Sequence, residues 1–300
     1  MSRLFAFGCS STRYIWPTWA DILGLEYDEF YNWGQGGAGN HFIFYTLVEA
    51  IERHKITSSD SVYIMWSSIG REDRFIKGDW FTPGSVYNGE YPQEYVEKFA
   101  EPDHFLLTSM TLIHSAYQLL KNIGCDYRFL KTVALSQVDD TWTKFLPFTN
   151  SFDHSVIALY KDSANLVETG IYEDIFPKDR MEIFIPHSSN YHKKDLKKKF
   201  TNLKGKDWPS FDNFYNRTLE GIKKPIIKEL NDLGLIDWRE RCYQRCNMHH
   251  VPSEHAEYLQ NRNFILTNKQ KEFVAYWDNI IRTQDTWDWP ELQIKRFGRM

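Results

Sequence analysis

The chain opens on a short apolar run, Arg3 to Gly8 (RLFAFG), closed by glycine, a pattern that predicts a buried strand. A helix is predicted next: Pro17 suits a first turn, Trp19, Ile22 and Leu23 share one face, and Gly24 is placed to end it. Leu25 to Trp33 reads as a second strand, running into the glycine-rich segment Gly34 to Asn40 (GQGGAGN). Asn40 is placed to cap a long helix to about His54, with Phe42, Ile43, Leu47, Ala50 and Ile51 on one side. Ser61 to Trp66 (SVYIMW) predicts a third strand, whereas Ile69 to Pro102 keeps no period and reads as an insertion or irregular lid. Asp103 is then placed to cap a helix carrying Leu106, Met110, Ile113, Ala116 and Leu120, ended by Gly124, with a strand over Tyr127 to Leu135 after it. Helices at about Thr218 to Asp232 and Asn268 to Arg282 complete the pattern; Ser136 to Asp207 gives no clear element, and no repeat is visible.

The β-α-β-α-β order predicts a parallel sheet with right-handed crossovers and helices on both faces. Ligands of such sheets sit beyond the carboxyl ends of the strands, which directs attention to the loops after Gly8, Trp33, Trp66 and Leu135. A length of 300 residues fits one enlarged α/β domain, 1–300, with insertions at about 69–102 and 138–215 and an aromatic tail at about 284–300.

Composition narrows the function classes. With 42% hydrophobic and 25% charged residues the chain is globular rather than disordered. The 36 basic and 40 acidic residues give a net charge of −4, so there is no global positive field and no nucleic-acid partner is expected. Seven lysines between Lys193 and Lys206 read as a solvated face before they read as a polyanion site. The apolar stretch within Met1 to Ser11 is too short for a secretory signal and no segment is long enough to span a membrane, so a cytoplasmic or virion-associated protein without membrane partners is expected. Cys9, Cys125, Cys242 and Cys246 are too few and scattered for a disulfide framework and read as reduced thiols. The aromatic share, 16%, is high enough to supply both a core and a surface that stacks on flat ligands.

Three segments carry candidate chemistry. Gly8-Cys9-Ser10-Ser11-Thr12 follows the first strand, where a tight turn projects a hydroxyl at the sheet edge; Ser10 reads as a nucleophile or as part of a helix cap. Gly34 to Asn40 has four glycines in seven residues, which lets backbone N–H groups approach an oxyanion or a phosphate; GxxxxGK[ST] is missing. Asn247 to Leu259 holds three of the ten histidines, His249, His250 and His255, each a candidate general base or a plain surface residue. Cys242, Cys246 and His249 with the neighbouring histidines also allow a zinc reading, but structural zinc sites more often use two separated ligand pairs, and no metal or other cofactor is expected.

These segments, in this order, resemble the SGNH (GDSL-like) hydrolases, and the F-x-F-G-C-S opening with its W-x-x-W-A-D helix is similar to phage-encoded members. The resemblance implies a three-layer α/β/α sandwich with a central parallel sheet, the flavodoxin-like SGNH fold. It makes Ser10 the nucleophile with Cys9 in place of aspartate, and Gly37, within Asn32 to Asn40, the oxyanion glycine. Val62 to Ser68 resembles the strand into the third block, with Ser67 or Ser68 near the missing asparagine's place. Asn247-x-His249, followed by Pro252, His255 and Tyr258, resembles the last block and makes His249 the base with Asn247 in the acid's place; a D-x-x-H spacing makes His250 the base instead. The activity implied is serine ester hydrolysis, most simply removal of acetyl or other acyl groups from a carbohydrate or another small ester. Trp80, Phe81 and Tyr87 read as a sugar-stacking wall or a satellite core, and His250 and His255 as substrate contacts. The competing class is a catalytically degenerate glycan-binding or virion module that associates with other virion proteins or with itself; the missing third-block asparagine and the replaced acid favour it, and the tail tryptophans Trp277, Trp287 and Trp289 offer it a surface for docking on a partner chain.

Overall fold

Strands send alternate side chains to opposite faces, and in this computed structural model, which describes residues 2–86, 90–132 and 249–283, both faces of the main sheet are buried. Its strands are β1 (Arg3–Phe7), β2 (Glu29–Asn32), β3 (Ser61–Trp66) and β6 (Asp126–Lys131), all parallel, in the order β2-β1-β3-β6. Phe5 and Phe7 join Val62, Ile64, Trp66 and Phe129 in one core. Helices α2 (Asn40–His54) and α4 (Pro102–Ile123) close it through Ile43, Leu47, Ile113 and Leu120. Leu4, Ala6, Tyr63, Met65 and Leu130 face the other way. There α1 (Trp19–Gly24), α5 (Pro252–Asn261) and α6 (Asn268–Thr283) cover them with Trp19, Ile22, Tyr258, Leu259 and Val274. Each large side chain so buried contributes about 1.5–3 kcal/mol, which is why β1 and β3 read as continuous apolar runs rather than alternating ones. The chain is therefore α/β, with helices on both faces of a four-stranded parallel sheet, compatible with three layers.

At the amino end of the sheet, the Arg3 guanidinium forks onto Asp60, with Nε and Nη2 each 2.7 Å from a carboxylate oxygen. Burial pushes Asp60 up, but the Arg3 fork and the Thr57 N–H and hydroxyl overcome this and hold it below the ordinary carboxylate range. Asp60 is 1% exposed, so Asp60→Ala leaves these donors without their acceptor; a loss of about 3 kcal/mol is expected in urea unfolding. A change below about 0.5 kcal/mol would show the pair to be dispensable.

Several local expectations are corrected. Asn40 does not cap α2: Gly39 holds the cap position, and Asn40 turns its side chain to β3 and α4 instead. Glu101, not Asp103, precedes α4, because Pro102 fits the first turn where no N–H is needed. The 69–102 insertion contains a hairpin, β4 (Arg74–Ile76) and β5 (Asp79–Phe81), and helix α3 (Gln93–Phe99). Its strands are too short to display a period, and its turn, Lys77-Gly78, has both φ values positive (53° and 86°), as a tight two-residue hairpin requires. His255 lies inside a helix, α5, that starts at Pro252 and is capped by Glu254 accepting the Val251 N–H at 3.0 Å. The expected helix at 218–232, the lysine run, the 138–215 insertion, the tail from 284, Tyr87, Cys242, Cys246 and Asn247 lie outside the described residues. Among the described residues no helix is long and apolar enough to cross a membrane.

Candidate functional site

The loops leaving β1, β2 and β3 meet at the carboxyl edge of the sheet, where β6 also ends. After β1, the Cys9 carbonyl accepts the N–H groups of Thr12 (2.9 Å) and Arg13 (3.2 Å), closing a tight turn with Ser10 half-buried at its outer side and Ser11 and Thr12 buried. After β2, the Gln35 N–H reaches the Gly8 carbonyl at 3.1 Å and Asn32 Nδ2 donates to the Thr12 carbonyl at 2.9 Å, tying the glycine-rich segment to that turn. After β3, Asn40 grips Ser67 twice: the Ser67 N–H donates to Oδ1 at 2.9 Å and Nδ2 donates to the Ser67 carbonyl at 3.2 Å. After β6, the Thr132 hydroxyl lies 3.6 Å from the Cys9 sulfur.

Gly37 has φ +74°, in the left-handed region, and a Cβ there would stand 2.1 Å from the Thr82 carbonyl oxygen. Only glycine lets the chain turn here under the 82–84 segment. Gly37→Ala is expected to cost at least about 2 kcal/mol, the sum of the left-handed penalty and the displaced backbone, together with any activity the turn supports. Urea unfolding checks this, and a variant as stable as the parent would show that the turn relaxes freely.

Asp73 fixes the same turn from the insertion side. Its oxygens accept the Gly39 N–H at 2.9 and 3.0 Å and the Phe42 N–H at 2.9 Å, so a carboxylate far along the chain supplies the helix cap that Asn40 was expected to give. Burial pushes the Asp73 carboxyl up, against the pull of these N–H groups, His41 and Arg71. Arg71 Nη1 donates to the Ala38 carbonyl at 3.1 Å. Burial alone raises the Cys9 thiol; Arg71's charge, the Ser11 N–H and the Thr132 and Ser11 hydroxyls outweigh it and hold it below the ordinary thiol range.

The histidine segment meets the β1 loop. The His249 ring stacks on Tyr14 with centroids 3.8 Å apart and planes within 8°. Trp16 Nε1 donates to the His250 carbonyl at 2.6 Å, and His250 and His255 pack ring edge to face at 5.8 Å. His249 is half-buried, while His250 and His255 are each 1% exposed and lie in the interior. Burial first, then the neighbouring imidazoles His255 and His249, holds His250 well below the ordinary histidine range, hence neutral.

Thus Ser10, Gly37 and the Ser67–Ser68 pair lie on loops at one edge, and His249 and His250 are pinned to residues 14–16 of the loop that carries Ser10. Ser68 is half-buried; Ser67, one residue earlier, is the buried partner of Asn40. Trp80 lies over Phe42 (5.4 Å) in a cluster with Cys9 and Ala38. Arg71, Asp73, Thr132, Tyr14 and Trp16 were not legible as site residues. The only signal is the polar Arg71-Glu72-Asp73 run just past β3, where the G-x-N-D pattern is absent. Among the described residues no group of three or more His, Cys, Asp or Glu is arranged to hold a metal ion. No protein-family model matches the chain, and no curated protein matches it significantly.

Proposed function

We propose that the protein is a serine ester hydrolase of the SGNH type that removes acyl groups, acetyl above all, from a carbohydrate. The observation that carries this reading is the docking of His249 and His250 onto Tyr14 and Trp16, which joins the histidine segment to the loop bearing Ser10 across more than two hundred residues of chain. The parallel order β2-β1-β3-β6, with Ser10 after β1, Gly37 after β2 and Ser68 after β3, supports it further.

In this mechanism Ser10 Oγ attacks the ester carbonyl carbon as His249 takes the hydroxyl proton. The oxyanion that forms is held by the backbone N–H groups of Ser10 and Gly37, with Ser68 beside them. Arg71, anchored on the Ala38 carbonyl next to Gly37, adds positive charge at the edge where the expected asparagine is missing. Collapse of the intermediate breaks the ester C–O bond, His249 returns its proton to the leaving sugar hydroxyl, and water then hydrolyses the acyl-serine by the same route. His249, half-buried, is the proton carrier; His250, wholly buried and neutral, packs on His255. The resemblance puts Asn247, which lies outside the described residues, in the acid's place, where a neutral amide would stabilise the imidazolium less than a carboxylate. A fluorophosphonate probe is expected to label Ser10 and to leave Ser10→Ala unlabelled, read by peptide mass. No label on the wild-type chain would favour the non-catalytic glycan-binding module.

A further inference from the structure

The β4–β5 hairpin divides its side chains between two neighbours. Phe75 and Trp80, paired across the strands, turn toward α2, with Trp80 5.4 Å from Phe42 and 5.7 Å from Tyr45. Arg74 and Phe81, the next pair, turn the other way, toward Tyr95 and Tyr91. That second face borders an open cleft of about 670 Å³ reaching from His41, at the start of α2, to Lys98 and Phe99 on α3 and His104 on α4. The volume falls within the range of small-ligand sites.

The acceptors of the cleft are already engaged. Glu72 Oε1 receives Arg74 Nε at 3.0 Å and the Tyr95 hydroxyl at 2.6 Å, and Asp73 receives the Gly39 and Phe42 N–H groups. The donors are not used up in the same way. Lys98 Nζ lies 5.2 Å above the Phe99 ring and forms no ion pair with a carboxylate among the described residues. His41 and His104 line the same space. One wall is aromatic: Tyr91 stacks on Tyr95 at 5.2 Å, Tyr95 lies 5.3 Å from Phe99, and Phe99 is 54% exposed. A ligand that fits brings negative charge to the donors and one flat apolar face to the wall. A nucleobase has two such faces and gains most between two rings, whereas a pyranose ring has a C–H face to stack and hydroxyls for the open side.

We propose that this cleft binds a negatively charged sugar unit, its carboxylate on Lys98, His41 and His104 and its C–H face on the Tyr95–Phe99 wall. The proposal rests on the ester-hydrolase reading and deepens it by naming acidic glycans as the substrate class. Asp73 couples the two places: it lines the cleft and holds the Gly39 N–H of the turn that carries Gly37.

Isothermal titration of the full chain with trigalacturonic acid, neutral galactotriose and AMP tests this without any ester. The acidic trisaccharide is expected to bind about tenfold more tightly than the neutral one, as charge-assisted hydrogen bonds are stronger. Lys98→Ala is expected to abolish that preference and Phe99→Ala to weaken both sugars; both side chains are exposed, so an unchanged Tm shows the fold intact. Equal affinity for the two sugars, a preference that survives Lys98→Ala, or tighter binding of AMP overturns the proposal. Ester hydrolysis lost in Ser10→Ala with no binding of trigalacturonic acid rejects the cleft alone. Lys98-dependent binding by a chain that hydrolyses no ester rejects the hydrolase reading and keeps the cleft.

Discussion

Ser10→Ala is expected to lower kcat/KM for p-nitrophenyl acetate by about a thousandfold or more, to the background left by the remaining site, because no other group forms the acyl intermediate. On the proposed reading Asn247 takes the acid's place, so a modest wild-type rate is expected. His249→Ala is expected to fall nearly as far, with little further loss when both changes are combined, since serine and base act as one unit. His250→Gln separates the two histidines: it is expected to keep most of the activity while losing stability, because its ring is 1% exposed and packs on His255. Wild-type rates in Ser10→Ala sink the mechanism; an inactive His250→Gln beside an active His249→Ala transfers the base to His250.

The second large effect concerns pH and stability. His250 is held neutral by burial, with the neighbouring imidazoles adding to it, so its folded pKa lies well below the value of about 6.5 in the unfolded chain. Above pH 6.5 neither state binds a proton there and its contribution is complete. As pH falls below 6.5 the unfolded chain takes up a proton that the folded chain refuses, and stability drops by about 1.4 kcal/mol per pH unit until the folded pKa is reached. Asp73 acts in the opposite sense: its raised carboxyl stabilises the fold below the ordinary carboxylate range and loses that contribution as pH rises through its folded pKa. Asp60, lowered, keeps its contribution until the solution is more acidic still. The difference between the wild-type and His250→Gln urea-unfolding profiles isolates the histidine. Parallel profiles between pH 5 and 6.5 would show that His250 protonates in the folded protein.

Local pattern located the elements whose signals are local. Leu4 to Phe7, Val62 to Trp66 and the periodic face Leu106 to Leu120 revealed strands and a helix, because each buries side chains at a spacing that two or four residues suffice to display. The loops after β1, β2 and β3 were also found in advance, since a βα order fixes which end of the sheet they occupy. The hairpin Arg74–Ile76 and Asp79–Phe81 was not, because strands of three residues show no period and the Lys77-Gly78 turn has no Asn-Gly or Asp-Gly mark. Helix α5 is hard to read from sequence for another reason: its capping signal, Pro252 at the first turn and Glu254 two residues on, is short and polar.

The sequence by itself determined the class of fold and the two segments that carry serine and histidine, for both follow from residue type and neighbours a few positions away. Tertiary structure alone decided what holds those segments together. Asp73 capping a helix more than thirty residues upstream, Arg71 anchored on Ala38, and Tyr14 and Trp16 receiving His249 and His250 are contacts between residues with no local relation. Such contacts are set by loop geometry at the sheet edge and by the desolvation of buried polar groups, which must find partners wherever the fold brings them, and no spacing along the chain records that.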